Sequence, residues 1–269
     1  MKPLSPALPP EGGGSPPPTL ELEHLTWTEV RDAIAGGYDT VVVVGGSLEG
    51  HGPHLPLGTD TIWGKEFGLK IAERLGHSLL APVIPYGPDE GLMAFPGTVH
   101  VDVETTGRLL QAICDSLLSH GFKRIVVCTS HEGYIAPLST LIDRMPWHRS
   151  RLVVISDLTG WFDMVRDTGT VDGITVEQLG AHAGEFETSL MLHIKPDGVR
   201  KPLPAGTPLD PRDHPDLFRK DLSAVAPSGA AGVPSAADGS RGDRYLDAVV
   251  SFIVEAVKRS ESVRAAAKS

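Results

Sequence analysis

Only two of the 269 residues are cysteine, Cys114 and Cys128, and each sits in an apolar stretch. That scarcity excludes a disulfide framework and a cysteine-based zinc site, and it points to a reducing, cytoplasmic compartment. Long apolar runs are missing too: none approaches the ~20 residues of a membrane span, and the first twenty residues lack the apolar centre of a signal peptide. Basic residues are outnumbered, 24 Lys and Arg against 34 Asp and Glu, for a formal charge of −10. Such a surface does not suit a partner held mainly through phosphates, so neither nucleic acid nor an anionic membrane is expected, and a small-molecule substrate fits better. What is present, 41% hydrophobic and 22% charged residues, describes a folded chain whose length matches one core of up to ~250–300 residues.

Residues 1–20 read as a disordered leader, because prolines at 3, 6, 9, 10 and 16–18 and Gly12-Gly13-Gly14 cannot propagate helix or ladder. Residues 21–269 read as a single domain. Thr26 with Glu29 three positions on makes a capping box for a helix that stops at Gly36-Gly37. Residues 40–44 read as a buried strand, 60–75 as helix, 79–84 as extended, 102–119 as helix, and 124–128 and 153–155 as strands. A last amphipathic helix over 244–258 should pack on the sheet. Short apolar strands alternating with amphipathic helices imply right-handed crossovers, a mostly parallel sheet and a three-layer α/β/α sandwich. The Pro-, Ala-, Gly- and Ser-rich segment 201–241 reads as an excursion over the surface.

Three polar clusters carry chemistry. The first spans 46–60, directly after the first strand, where parallel sheets place ligands. Glu49 and His51 can point to one side of an extended loop, and the Gly/Pro-rich turn can bring Asp60 back to meet them; the alternative is that Asp60 merely caps a helix. The second follows the strand at 124–128: His131 leaves the sheet at the same carboxyl end, although a single histidine there is more often a satisfied polar residue. The third is His182-Ala183-Gly184-Glu185-Phe186-Glu187, where two carboxylates flank a helix start. Carboxylates and imidazoles of this kind suit zinc or manganese. Three carboxylates, Glu49, Asp60 and Glu185, would leave two divalent cations with one net positive charge, which a bridging hydroxide, the expected nucleophile, would cancel.

Together with Phe95-Pro96-Gly97-Thr98, these clusters resemble the creatininase (creatinine amidohydrolase) family, whose pattern runs Gly-Ser-x-Glu-Gln-His-Gly-x-His-Leu-Pro-x-x-x-Asp, Phe-Pro-Gly-Thr, Asn-Gly-His-Gly-Gly-Asn and His-Ala-Gly-x-x-Glu-Thr-Ser. The resemblance implies a creatininase-like three-layer fold, two divalent metal ions per chain (zinc, manganese or iron), amide hydrolysis, and a homo-oligomer, often a hexamer. It implies that Glu49, Asp60 and His131 hold one metal and that Asp60 bridges to a second held by His51. Gly133 stands where creatinine-cleaving members carry a second-site glutamate, so Glu185 is taken as the replacement ligand. His182 matches the family's acid/base histidine, and His54 a residue that orients a ligand.

Departures surround the pocket: Gly50 replaces glutamine, and Thr129, Ser130, Glu132, Gly133 and Tyr134 replace the usual surroundings of the histidine. Creatinine is therefore not the first expectation. Phe95, Tyr134 and Trp161 are candidate pocket residues, with a tight turn as the alternative for Phe95 and a core or interface aromatic for Trp161. The expected activity is metal-dependent hydrolysis of an amide, cyclic amide or formamide C–N bond in a small polar molecule. Its rivals are a peptide- or carbocycle-cleaving hydrolase of the same family and a non-catalytic binding or scaffold protein.

Overall fold

The computed structural model describes residues 16–214 and 221–266. Four parallel strands, β1 (Thr40–Gly45), β2 (Ser78–Leu80), β3 (Arg124–Thr129) and β4 (Leu152–Val154), form a sheet in the order β2-β1-β3-β4. β1 and β3 lie at the centre with Thr40 opposite Arg124 and Gly45 opposite Thr129, so both strands end level at the carboxyl edge.

Alternation along β1 builds the layers. Val42 and Val44 face one side, where they meet α2 (Thr59–Leu75), α5 (Leu158–Thr170), α7 (Glu185–Ile194) and the long α8 (Gly239–Ala266). Val41 and Val43 face the other side, against α1 (Trp27–Ala35), α3 (Val103–Ser119) and α4 (Ile135–Arg144). A short α6 (Val176–Leu179) precedes α7. All four valines are fully buried, each stabilising the sheet by about 1.5–3 kcal/mol relative to exposure. This is the expected α/β/α sandwich, and the capping box at Thr26 forms as expected.

Several boundaries differ. Helices α4 and α5 were not expected; both pack on the sheet through apolar faces that their glycines, prolines and threonines obscure in the sequence. α8 begins five residues earlier than its apolar periodicity suggests, because the Asp238 side chain accepts from Ser240 N (2.8 Å) and Arg241 N (3.1 Å). Of the expected leader, residues 1–15 lie outside the described residues. Leu20 is already part of the sheet edge, its carbonyl accepting from Leu80 N at 2.8 Å.

The segment 201–241 is no mere surface excursion. Ala231 N donates to the His182 carbonyl (2.8 Å) and the Ala231 carbonyl accepts from Ala181 N (2.8 Å), while Leu222, Ala226 and Ala230 are buried. The segment therefore braces the loop that carries His182.

Candidate metal centre

The chain leaving β1 turns back on itself before α2. Glu49 N donates to the Leu57 carbonyl (3.0 Å), and Gly52 takes φ +63, a conformation that favours glycine. The turn sets Glu49 and His51 against Asp60, the second residue of α2, and all three are buried.

Asp60 presents one oxygen to each of two histidines. Its Oδ1 lies 3.3 Å from His51 Nε2 and its Oδ2 lies 3.2 Å from His131 Nδ1. Ser47 Oγ donates to Oδ2 (2.7 Å) and Trp63 Nε1 to Oδ1 (3.3 Å), which fixes the plane of the carboxylate.

The two imidazoles are oriented from behind. His51 donates through Nδ1 to the Glu49 carbonyl (3.2 Å). Its Nε2 therefore faces Asp60, Glu49 Oε1 (3.7 Å) and Glu187 Oε1 (3.7 Å), and it is buried without a hydrogen-bond partner among the described residues. His131 is held by the opposite nitrogen: Nε2 lies 2.8 Å from Asp89 Oδ1 and 3.1 Å from the Pro88 carbonyl, while Nδ1 faces Glu49 Oε1 (3.3 Å) and Asp60. Such backing carboxylates and carbonyls fix the tautomer of metal-ligating histidines.

Two overlapping groups result, Glu49–Asp60–His131 and His51–Asp60–Glu187, and within each the candidate ligand atoms lie within 4.8 Å of one another. Glu49, His51 and His182 form a third. His51 Nε2 and Glu49 Oε2 are both buried with no hydrogen-bond partner among the described residues, as lone pairs that suit an electrophile. A divalent cation bound by nitrogen and oxygen fits this donor set.

Of the six residues expected as ligands or catalytic group, the fold brings Glu49, His51, Asp60, His131 and His182 together and leaves Glu185 out. Glu185 turns toward α8 instead: it accepts from Ser189 Oγ (2.6 Å) and Tyr245 Oη (2.7 Å), and Arg241 Nε lies 3.2 Å away. Glu187 occupies the position expected of Glu185, its second oxygen accepting from Ala183 N. The sequence held the signal, since the pattern His-Ala-Gly-x-x-Glu puts its glutamate five residues after His182. Asp89 also went unseen. It lies past β2, and its own backbone N donates to His100 Nδ1 at 2.9 Å.

His182 reaches the cluster from its braced loop. Its Nε2 lies 2.6 Å from the Gly50 carbonyl and so donates to it, leaving Nδ1 toward Glu49 Oε1 at 3.7 Å. The His51 and His182 rings are 4.3 Å apart. His54 holds the loop to α7 through Nε2 and Thr188 Oγ1 (2.8 Å).

The expected pocket aromatics divide. Trp161 lines an open cleft above the cluster with Phe162, Phe186 and Glu132. Tyr134 does not: it is fully buried, donates to the Tyr86 carbonyl (2.6 Å), and fills space that a Cβ on Gly45 or Gly87 would take. Phe95 packs against Gly50 and Gly229 outside the cleft, supporting the Glu49–His51 loop from beneath.

Burial and proximity pull the titrations apart. Burial raises Glu49 well above the usual carboxylate range although His131 opposes it. Asp60, equally buried, is held well below that range because His51 and His131 outweigh desolvation. Desolvation would strip protons from His51 and His131, but the carboxylates around each raise both well above an ordinary imidazole. Burial, with the charge of His51, lowers His182 to about 4, and burial pushes Glu132 up to about 7. A field that draws protons onto two histidines is also one that attracts divalent cations.

Comparison with known proteins gives the family. The creatininase family, described as creatinine amidohydrolase, matches residues 23–257. A creatinine amidohydrolase of Pseudomonas putida is 29% identical over 250 residues, 87% of this chain and 95% of that protein. A mycofactocin precursor peptide peptidase of Mycolicibacterium smegmatis is 30% identical over 226 residues, 81% and 84% of the two chains. Among solved structures, a manganese form of creatininase superposes with a TM-score of 0.71 at 27% identity, and a mutant creatininase of Zn-Zn type with 0.70 at 26%; each match covers 90% of this chain and 98% of the other. The chain belongs to the creatininase family and is a metal-dependent amidohydrolase.

Proposed function

We propose that the protein hydrolyses a C–N bond, in an amide, cyclic amide or formamide of a small polar molecule, with two divalent cations held by Glu49, His51, Asp60, His131 and Glu187. The observation that carries this is Asp60, whose two oxygens serve two separate ligand groups that share no histidine. When bound, such a pair of ions supplies an activated water and polarises the carbonyl under attack.

The chain's own groups do the rest. Ser47 and Trp63 keep Asp60 from rotating, and Asp89 and the Glu49 carbonyl keep His131 and His51 in their tautomers. His182, neutral above about pH 4 and fixed by Gly50, can accept a proton at Nδ1 and pass it to the departing nitrogen. Gly133 supports the use of Glu187 in the second group: a Cβ there would fall 2.1 Å from the Pro88 carbonyl, so a glutamate cannot be supplied from that position without a shift.

Zinc and manganese are the favoured ions, given the nitrogen and oxygen donors and the named metal forms of the structural relatives. A peptide substrate is the second reading, favoured by a cleft lined by Glu49, Trp161 and Arg212 among others and by relatives that are peptide peptidases. A cytoplasmic setting fits the two free, buried cysteines, and self-association fits Trp147, which is 90% exposed.

Metal analysis after supplementation and gel filtration tests the proposal. About two zinc or manganese ions per chain, with amide hydrolysis that a chelator removes, is the expected result. One ion or none at saturation overturns the two-ion site.

A further inference from the structure

Helix α8 presses on α7 near their amino ends: a Cβ on Gly242 would fall 2.0 Å from the Ser189 carbonyl, so a side chain there would force the two helices apart. This close approach sets Arg241, 8% exposed, beside the fully buried Glu185. Arg241 Nε lies 3.2 Å from Glu185 Oε1, and Arg241 is the sole basic group paired with that carboxylate among the described residues. Nε and Nη1 make no hydrogen bond among the described residues, while Nη2 donates to the Ala236 carbonyl at 3.3 Å. The guanidinium therefore acts on Glu185 through its charge. Asp172 lies 3.5 Å from the same Nε and has Arg244 as its closer partner.

Two carboxylates thus stand in the first turn of α7, each turned toward a different positive charge. Glu185 meets Arg241, and Glu187 faces His51 and the centre proposed to hold the ions. Removing one partner of a buried ion pair leaves an uncompensated charge, which is costly, whereas removing both charges together is often tolerated.

We propose that Arg241 decides which glutamate serves the metal centre, by holding Glu185 on the α8 side and so fixing the rotation of α7 that points Glu187 at His51. The proposal rests on the two-metal reading above. Arg241 is a positioning residue: it acts through Glu185 and is not itself a ligand. Without the guanidinium, Glu185 has no cation of its own and the divalent ions become the competing positive charge, which pulls the first turn of α7 away from the rotation that seats Glu187. Glu185→Gln removes that pull and keeps an oxygen acceptor for Ser189 and Tyr245.

The test is a double-mutant cycle read by metal affinity. Zinc binding to the full-length wild type, Arg241→Met, Glu185→Gln and the double variant is measured in competition with a chelator, beside denaturant melts of the same samples. The wild type should bind two ions, Arg241→Met should hold one of them about 10-fold more weakly, as expected when a group that orients a ligand is lost, and the double variant should regain near-wild-type affinity. A merely structural arginine predicts the opposite for the last comparison, so a loss that Glu185→Gln fails to relieve overturns the proposal. Two ions in the wild type with unchanged affinity in Arg241→Met overturn the proposal alone, whereas fewer than two ions in the wild type overturn the two-metal reading and the proposal with it. Should Arg241→Met fail to fold, Arg241→Gln, which keeps a donor for the Ala236 carbonyl, carries the same comparisons with the same outcomes.

Discussion

Asp89 Oδ1 lies 2.8 Å from His131 Nε2 on the side of the ring away from the cluster, so His131 presents its other nitrogen to Glu49 and Asp60. A carboxylate behind a ligating histidine sets its tautomer and raises its basicity, and losing it costs roughly 10–100-fold in metal affinity. Asp89→Asn is therefore expected to weaken zinc binding by about that factor in competition with a chelator. Unchanged affinity would mean that the Pro88 carbonyl alone orients the ring.

Glu185 and Glu187 should separate cleanly. Glu187→Gln is expected to lose about one of the two bound ions, while Glu185→Gln keeps both and lowers stability by about 1–3 kcal/mol, the cost of leaving buried partners such as Arg241 and Tyr245 less well satisfied. Metal counting paired with denaturant melts reads both effects. Loss of an ion in Glu185→Gln would restore that residue as a ligand.

His182→Ala should reduce kcat by roughly 10²–10⁴-fold with the metal content intact, the range for losing a positioned acid/base group. Equal loss of metal would instead make His182 a ligand within the Glu49–His51–His182 group.

The pH dependence of stability can be read from His54. Burial lowers its pKa to about 4 in the folded state, against ~6.5 for an unperturbed imidazole. The unfolded chain then binds more protons between those values, so the contribution of neutral His54 is fully present above about pH 6.5 and declines as pH falls toward about 4. His54→Gln should consequently be most destabilising at pH 8, with the gap to wild type narrowing at pH 5 in thermal melts. A gap independent of pH would show that His54 titrates normally in the fold.

Much of this protein was legible in its sequence. Short valine-rich strands alternating with amphipathic helices dictated a parallel sheet, because an apolar run buried on both faces has few other stable settings, and a polar loop after each central strand marked the carboxyl edge as the site. The placement of Glu49, His51, Asp60, His131 and His182 around one centre followed from that topology. Which carboxylate completes the cluster did not. Glu185 and Glu187 are two residues apart at the start of α7, about 200° around a helix, so one must turn to α8 when the other faces the cleft. Packing of Ser189, Tyr245 and Arg241 made that choice. Asp89 and the bracing segment at Ala231 were decided in the same way, by approach across distant parts of the chain, because hydrogen bonds between segments depend on where the folded backbone brings them and leave no periodic trace in either segment.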